Sequence, residues 1–429
     1  MGATIVAIRI ERLTGDEIDP YISGLMQKRD AASRTLFPLD ASKAGFNTAR
    51  LHAAVGHMRR DSDLGRIPGV VLLIARDGRL VLHEALGLQN PQLGTPMALD
   101  AIFRIYSMTK PITSLAVLQL AECGRLMLSD PVSNYLPAFA KLKVAHFDGD
   151  HMTLQPVRKQ PTIHDLLRHT AGLTYAFLDK GPVQRMYVQA RLRSGTLDTD
   201  GFIRALTGLP LAFHPGSTWE YSHATDVLGA VIEAVTGQRL GVFLQDSICG
   251  PLGMVDTGFW TPPEKQHRLA EPAASEIPHL PMPLLDPRKP PPMDAGGSGL
   301  MSTAMDYARF LQCLLNGGVL DGQRIASSHT VRMMTHDHVG DIPQNISQFG
   351  GQMLTPGIGF GLGFAVRMSE GLENLPGSTG MYSWGGVCGT TFWVDPQHQL
   401  VAVLMSQASV QREHYRQLWR NLVYGAMDD

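Results

Sequence analysis

Two apolar runs meet at one turn early in the chain. Residues 69–75 and 80–82 are almost wholly apolar and flank Asp77-Gly78, a dipeptide that supplies the positive φ angles of a tight turn, so residues 69–84 predict a β-hairpin. A second hairpin is written near the C-terminus, where residues 390–394 and 400–405 flank Asp395-Pro396-Gln397-His398. Helical periodicity appears at residues 47–59, with Leu51, Val55 and Met58 on one face, and again at 410–424. Between the hairpins the pattern is helical: residues 112–123 are apolar on nearly every face and stop at Gly124, 162–169 form a short helix, 227–235 a longer one ended by Gly237, and 303–315 another. From 271 to 292 prolines are dense and periodicity is lost, which predicts an extended loop that either walls a cleft or crosses the surface.

Strands at both ends with helices between them predict an α+β fold, in which one antiparallel sheet is built from both termini, flanked by helices, and a helical domain is inserted. The expected division is an N-terminal extension at 1–46, an α/β domain from 47–104 and 295–429, and a mainly helical domain at 105–294 that carries the proline-rich loop. At 429 residues the chain has room for these units and a large core. The formal net charge of −2 shows no basic excess, so nucleic acid is not an expected partner. The apolar run at 1–9 is too short for a signal peptide, which predicts a non-exported, cytoplasmic protein, and Val6 breaks the myristoylation pattern. No apolar run is long enough to span a membrane, so no membrane partner is expected. Cys123, Cys249, Cys313 and Cys388 are scattered, matching neither a zinc motif nor a disulfide framework. They are expected to be buried free thiols, and neither a metal nor a cofactor is expected.

The candidate chemistry sits at the head of the most apolar helix. Ser107-Met108-Thr109-Lys110 places a serine three residues before a lysine, and such a pair shares one helix face about 5–6 Å apart at Cβ. A serine hydroxyl needs an adjacent base to become a nucleophile, and free N–H groups at a helix start can bind an oxyanion. The bland reading is a capping serine with a solvated lysine. Against it, a lysine at the head of a buried helix is costly without partners. Pro111 disfavours the α conformation at Lys110, so a tight or distorted first turn is expected.

Two later stretches complete the pattern. Pro215-Gly216 precedes Tyr221-Ser222-His223 at a helix start, and the run 378–390, with Trp384-Gly385-Gly386, is a strand whose missing side chains would let a substrate lie against its backbone. His164 and His169 are five apart with no third metal ligand at suitable spacing, so a structural role is expected, such as His169 bonding backbone near Gly172. Ser298 comes nearest to a G-x-S-x-G nucleophile elbow, but Leu300 occupies the last glycine position.

In order along the chain, S-x-x-K, Tyr-Ser-x and a glycine-rich strand triad resemble the serine β-lactamase and penicillin-binding protein superfamily. The chain is most similar to its class C branch, and within that to the β-lactamase-like carboxylesterases called family VIII esterases, from about residue 48 onward. Flanking phrases carry the same likeness: Phe103-Arg104, Lys110-Pro111-Ile112, Leu166-Leu167-Arg168-His169-Thr170-Ala171-Gly172-Leu173 and Gly361-Leu362-Gly363-Phe364. The resemblance implies Ser107 as nucleophile, Lys110 beside it and Tyr221 as proton shuttle. It also implies an oxyanion hole from the backbone N–H groups of Ser107 and Val387, and a site between the two domains.

Two departures bear on substrate. Trp384 stands where the β-lactamases have a lysine that binds a carboxylate, so neutral small-molecule esters become the expected substrates. His223 replaces an asparagine and is expected to titrate or to line the wall, as Gly385 and Gly386 would line the substrate strand. The expected reaction is ester hydrolysis through an acyl-Ser107 intermediate, with either Lys110 or a Tyr221 phenolate as base. Amide or lactam hydrolysis, acyl transfer and a penicillin-binding-type sensor are the rivals. Tyr175, Phe177 and Tyr382 are further candidates to line the pocket. The sequence does not fix the oligomeric state.

Overall fold

The computed structural model describes residues 36–428 except 150, 179, 180, 194 and 345–352. The expected extension at 1–46 therefore lies largely outside the described residues, as do the leader and myristoylation readings. Residues 36–46 run over the Asp77-Gly78 hairpin, with Leu36 and Leu39 hydrogen-bonded to Gly78 and Leu80.

The sheet is the expected one. Its strands are β1 (Gly69–Arg76), β2 (Arg79–Asn90), β3 (Thr95–Pro96), β4 (Ile358–Phe360), β5 (Ala365–Arg367), β6 (Tyr382–Gly385), β7 (Thr391–Asp395) and β8 (Leu400–Ser406). They form an eight-stranded sheet in the order β4-β5-β6-β7-β8-β1-β2-β3, and every neighbouring pair is antiparallel. The Asp77-Gly78 turn has φ of 52° and 70° at its two residues, the left-handed geometry that dipeptide was expected to take. N- and C-terminal segments meet where β1 pairs with β8, Val70 opposite Ser406 through Arg76 opposite Leu400.

Both faces of the sheet are covered, which is why β1 and β8 read as continuous apolar runs and do not alternate. Val71, Leu73, Val401, Val403 and Met405 enter one core; Val70, Leu72, Ile74, Ala402 and Leu404 enter the other. The second core is closed by helix α1 (Thr48–Asp63) and by the C-terminal helix Arg412–Gly425. The first is shared with α2 (Thr109–Glu122) and a helix at Ala304–Leu315.

Several elements differ from the sequence expectation. A hairpin of Lys143–Asp148 and His151–Pro156 sits in the mainly helical stretch; it is largely solvated on both faces and so leaves no alternating apolar signature. Helix α3 (Ile163–Leu167) is capped by Thr162. Helix α4 (Ala224–Thr236) starts three residues earlier than its apolar run, because Thr225 and Asp226, both polar, are buried. The helix 304–315 becomes α5 and the C-terminal helix α6. The proline-rich loop 271–292 walls a cleft: Pro281 and Met282 line the main cavity described below.

Candidate active site

Ser107 does not cap α2. It lies in a 3-10 turn, Tyr106–Met108, that runs straight into the helix, and the cap residue Met108 makes no side-chain capping bond. Lys110 and Pro111 then occupy the first turn of α2, where backbone N–H groups have no helical partner, so the proline is accommodated without breaking it. The distortion expected at Lys110 appears instead at Tyr106, with φ of 43° in the region non-glycine residues avoid, at a cost of roughly 1–3 kcal/mol. The surroundings over-determine that turn. Tyr106 is fully buried, the Tyr307 hydroxyl donates to Met108 O at 2.8 Å, and Leu300 N donates to Thr109 Oγ1 at 3.1 Å.

Lys110 is fully buried, so the solvated-lysine reading fails. Its Nζ donates to Gly297 O at 2.7 Å and lies 3.3 Å from Ser107 Oγ. Burial pushes its pKa down to about 7, against Asp226, which raises it; Arg193 adds to the lowering. A free amine is thus accessible at neutral pH, and with one N–H given to Gly297 its lone pair is available to Ser107.

Tyr221 precedes α4, bonds the Ser107 side chain, and lies with its ring centroid 4.4 Å from Lys110 Nζ. A Tyr221 phenolate was one of the two expected bases. Burial instead raises the Tyr221 pKa strongly, and its hydrogen bonds to Ser107 and Trp384 only partly offset this. Lys110 also sits over the ring rather than at the phenolic oxygen. Of the two groups beside Ser107, burial thus favours the free amine of Lys110 and the protonated phenol of Tyr221. Trp384 on β6 donates its indole N–H to Tyr221 Oη at 3.3 Å, a contact the sequence reading of Trp384 as an apolar wall did not include.

The turn after β6 passes close to the backbone just before Ser107. A Cβ at Gly386 would stand 2.4 Å from Ile105 O and 2.3 Å from Thr390 Oγ1, so only glycine allows this approach. Arg416, on α6, donates to both Gly386 O and Thr390 O and thereby holds the turn that presents Val387. Sequence reading missed Arg416, whose place on the inner face of α6 is the one signal that would have marked it.

Ser107, Tyr221, Trp384, Gly385 and Val387 share one cavity of about 500 Å³. Phe177 also lines it, and Tyr175 stacks on Phe177 at 4.9 Å. Tyr382 does not reach it: its ring is buried and stacks on Phe364 at 4.9 Å. His223 lies outside it too. The ring is buried, its Nδ1 is 2.8 Å from Asp226 Oδ2, and it borders a separate cavity of about 100 Å³. Burial lowers the His223 pKa, against its contact with Asp226, which raises it. His169 is structural, its Nδ1 3.1 Å from the Ser222 hydroxyl beside Tyr221 rather than on backbone near Gly172. Ser298 is buried and bonded by Arg193. Cys249, Cys313 and Cys388 are buried and Cys123 half-buried, all free. Among the described residues no group of three or more His, Cys, Asp or Glu side chains could hold a metal, and no single helix is long and apolar enough to cross a membrane.

Residues 55–425 match the family model described as Beta-lactamase. The chain is 35% identical over 357 residues to Protein Rv1367c of Mycobacterium tuberculosis, covering 82% of this chain and 88% of that protein. It is 33% identical over 398 residues to Esterase EstB of Burkholderia gladioli, covering 87% and 93%. Among solved structures, EstCE1, described as a hydrolase with promiscuous acyltransferase activity, superposes with a TM-score of 0.74 at 30% identity, covering 88% of this chain and 99% of that one.

Proposed function

From the premise that the chain belongs to the beta-lactamase family and is a serine hydrolase, we propose that it cleaves carboxylic esters through an acyl-Ser107 intermediate. The observation that carries this reading is a buried Lys110 amine 3.3 Å from Ser107 Oγ, at a cavity whose facing strand offers the uncharged Trp384.

Lys110 takes the Ser107 proton as Oγ attacks the ester carbonyl carbon. The oxyanion forms against the backbone N–H groups of Ser107 and Val387. Tyr221 then passes a proton to the departing alkoxide as the C–O bond breaks, recovering its own from Lys110. Water, deprotonated along the same path, attacks the acyl-Ser107 carbonyl and releases the acid. Trp384 places an indole at the strand position facing the substrate, which supports neutral esters over carboxylate-bearing lactams.

Acyl transfer to an alcohol is the second reading. It is favoured by the cavity volume of about 500 Å³, which has room for an acceptor alcohol beside the acyl group, and by the acyltransferase activity described for EstCE1. The deciding experiment is steady-state hydrolysis of a short-chain aryl ester by the wild type and Ser107→Ala, each checked for folding, with and without added alcohol. Activity lost in the variant is expected; activity retained would remove Ser107 from the mechanism. A new ester product in the presence of alcohol would assign transfer.

A further inference from the structure

Lys110 is held by a piece of backbone remote in sequence, and that backbone is itself held. Asp226, buried on α4, accepts from Gly297 N at 2.8 Å with one carboxylate oxygen and meets His223 Nδ1 at 2.8 Å with the other. Gly297 O receives the Lys110 ammonium or amine at 2.7 Å. On the next residue, the Arg193 guanidinium donates to the Ser298 hydroxyl. Lys110 Nζ and Arg193 Cζ also approach the same Tyr175 ring, at 5.4 and 5.9 Å from its centroid.

We propose that Asp226 and Arg193 are positioning residues for acyl transfer to Ser107, holding the Gly297–Ser298 segment that orients the Lys110 amine, through the Gly297 N–H and the Ser298 hydroxyl, and placing charges of opposite sign beside it. The inference rests on Lys110 being the base. The groups facing Lys110 are Ser107 from the preceding 3-10 turn, His169 from beyond α3, Tyr175 from the loop after it, Arg193, Tyr221, His223 at the cap of α4 and Asp226 on α4. Burial holds both histidines and both tyrosines neutral. Asp226 and Arg193 are left as the charges. Burial by itself would raise the Asp226 pKa, but its bond to His223 and the nearby cations bring it to about 2, so it is ionised throughout the working range.

Removing the carboxylate charge makes Lys110 easier to deprotonate; removing the guanidinium makes it harder. The test is the pH profile of kcat/KM for aryl ester hydrolysis by wild type, Asp226→Asn and Arg193→Gln, with Lys110→Ala as control. Asparagine keeps an acceptor for Gly297 N, so Asp226→Asn is expected to move the acid limb to lower pH by about one unit. Arg193→Gln, at a partly exposed site, is expected to move it to higher pH by a smaller amount. A purely structural role would lower the rate without moving the limb in opposite directions. If Asp226→Asn does not fold, the direction of the Arg193→Gln shift decides alone. A Lys110-dependent limb that neither variant moves would overturn this inference and leave the base assignment standing. A Lys110→Ala protein with the wild-type rate would overturn both.

Discussion

Trp384 both walls the cavity and gives its indole N–H to the Tyr221 phenol, the proton relay of the proposed mechanism. The bond matters most when Tyr221 carries partial negative charge during transfer, where a charge-assisted hydrogen bond contributes about 1.5–3 kcal/mol. Trp384→Phe keeps an aromatic wall and deletes the donor. Its kcat on a short-chain aryl ester should fall about ten-fold or more with KM little changed. An unchanged kcat in the folded variant would reduce Trp384 to a wall. Ser107, Lys110 and Tyr221 were legible as candidates because each carries its chemistry in a local motif. Asp226 and Gly297 were not, since their bond spans 71 residues and the Lys110–Gly297 bond 187, and neither residue is unusual in its own neighbourhood.

At the scale of elements, the site is a meeting of the 3-10 turn Tyr106–Met108, the start of α4 and the end of β6. The approach of β6 to that turn depends on Gly386. A methyl group there meets Ile105 O at 2.4 Å, so Gly386→Ala must push the strand and Val387 away from Ser107. Loss of one oxyanion donor costs about 10²–10³ in rate. The expected result is a kcat reduced on that scale with a thermal midpoint only slightly lowered, since the displaced segment is short and at the mouth of the cavity. Wild-type turnover in Gly386→Ala would detach Val387 from the oxyanion hole. The helix carrying Lys110 was readable from its apolar run, but the 3-10 turn that holds Ser107 and the strained Tyr106 were not, because hydrogen bonds from Tyr307 and Leu300 impose that geometry from outside.

At the scale of the whole molecule, the sheet separates two cores; α2, which carries Lys110, packs in the first, and Tyr221 sits in a smaller cluster with Tyr175, Trp219 and Phe360. Met58, fully buried on α1, packs in the second. Met58→Ala is expected to cost about 2–5 kcal/mol in urea unfolding while the folded protein keeps the wild-type kcat on a short-chain aryl ester. A variant as stable as wild type, or one stable but inactive, would contradict this separation. Sequence alone determined the α+β class, the hairpins at both ends, the pairing of the termini in one sheet and the nucleophile motif. These follow from apolar periodicity, a two-residue turn and the fixed spacing of a helix, all local properties of the chain. Only the tertiary structure decided that the Lys110 amine is buried within reach of Ser107, where His223 and Tyr382 point and what holds the turn at Val387. Those outcomes depend on burial and on charges brought together from distant segments: the desolvation that makes the Lys110 amine accessible near pH 7 and keeps Tyr221 protonated exists only once the core has closed around them.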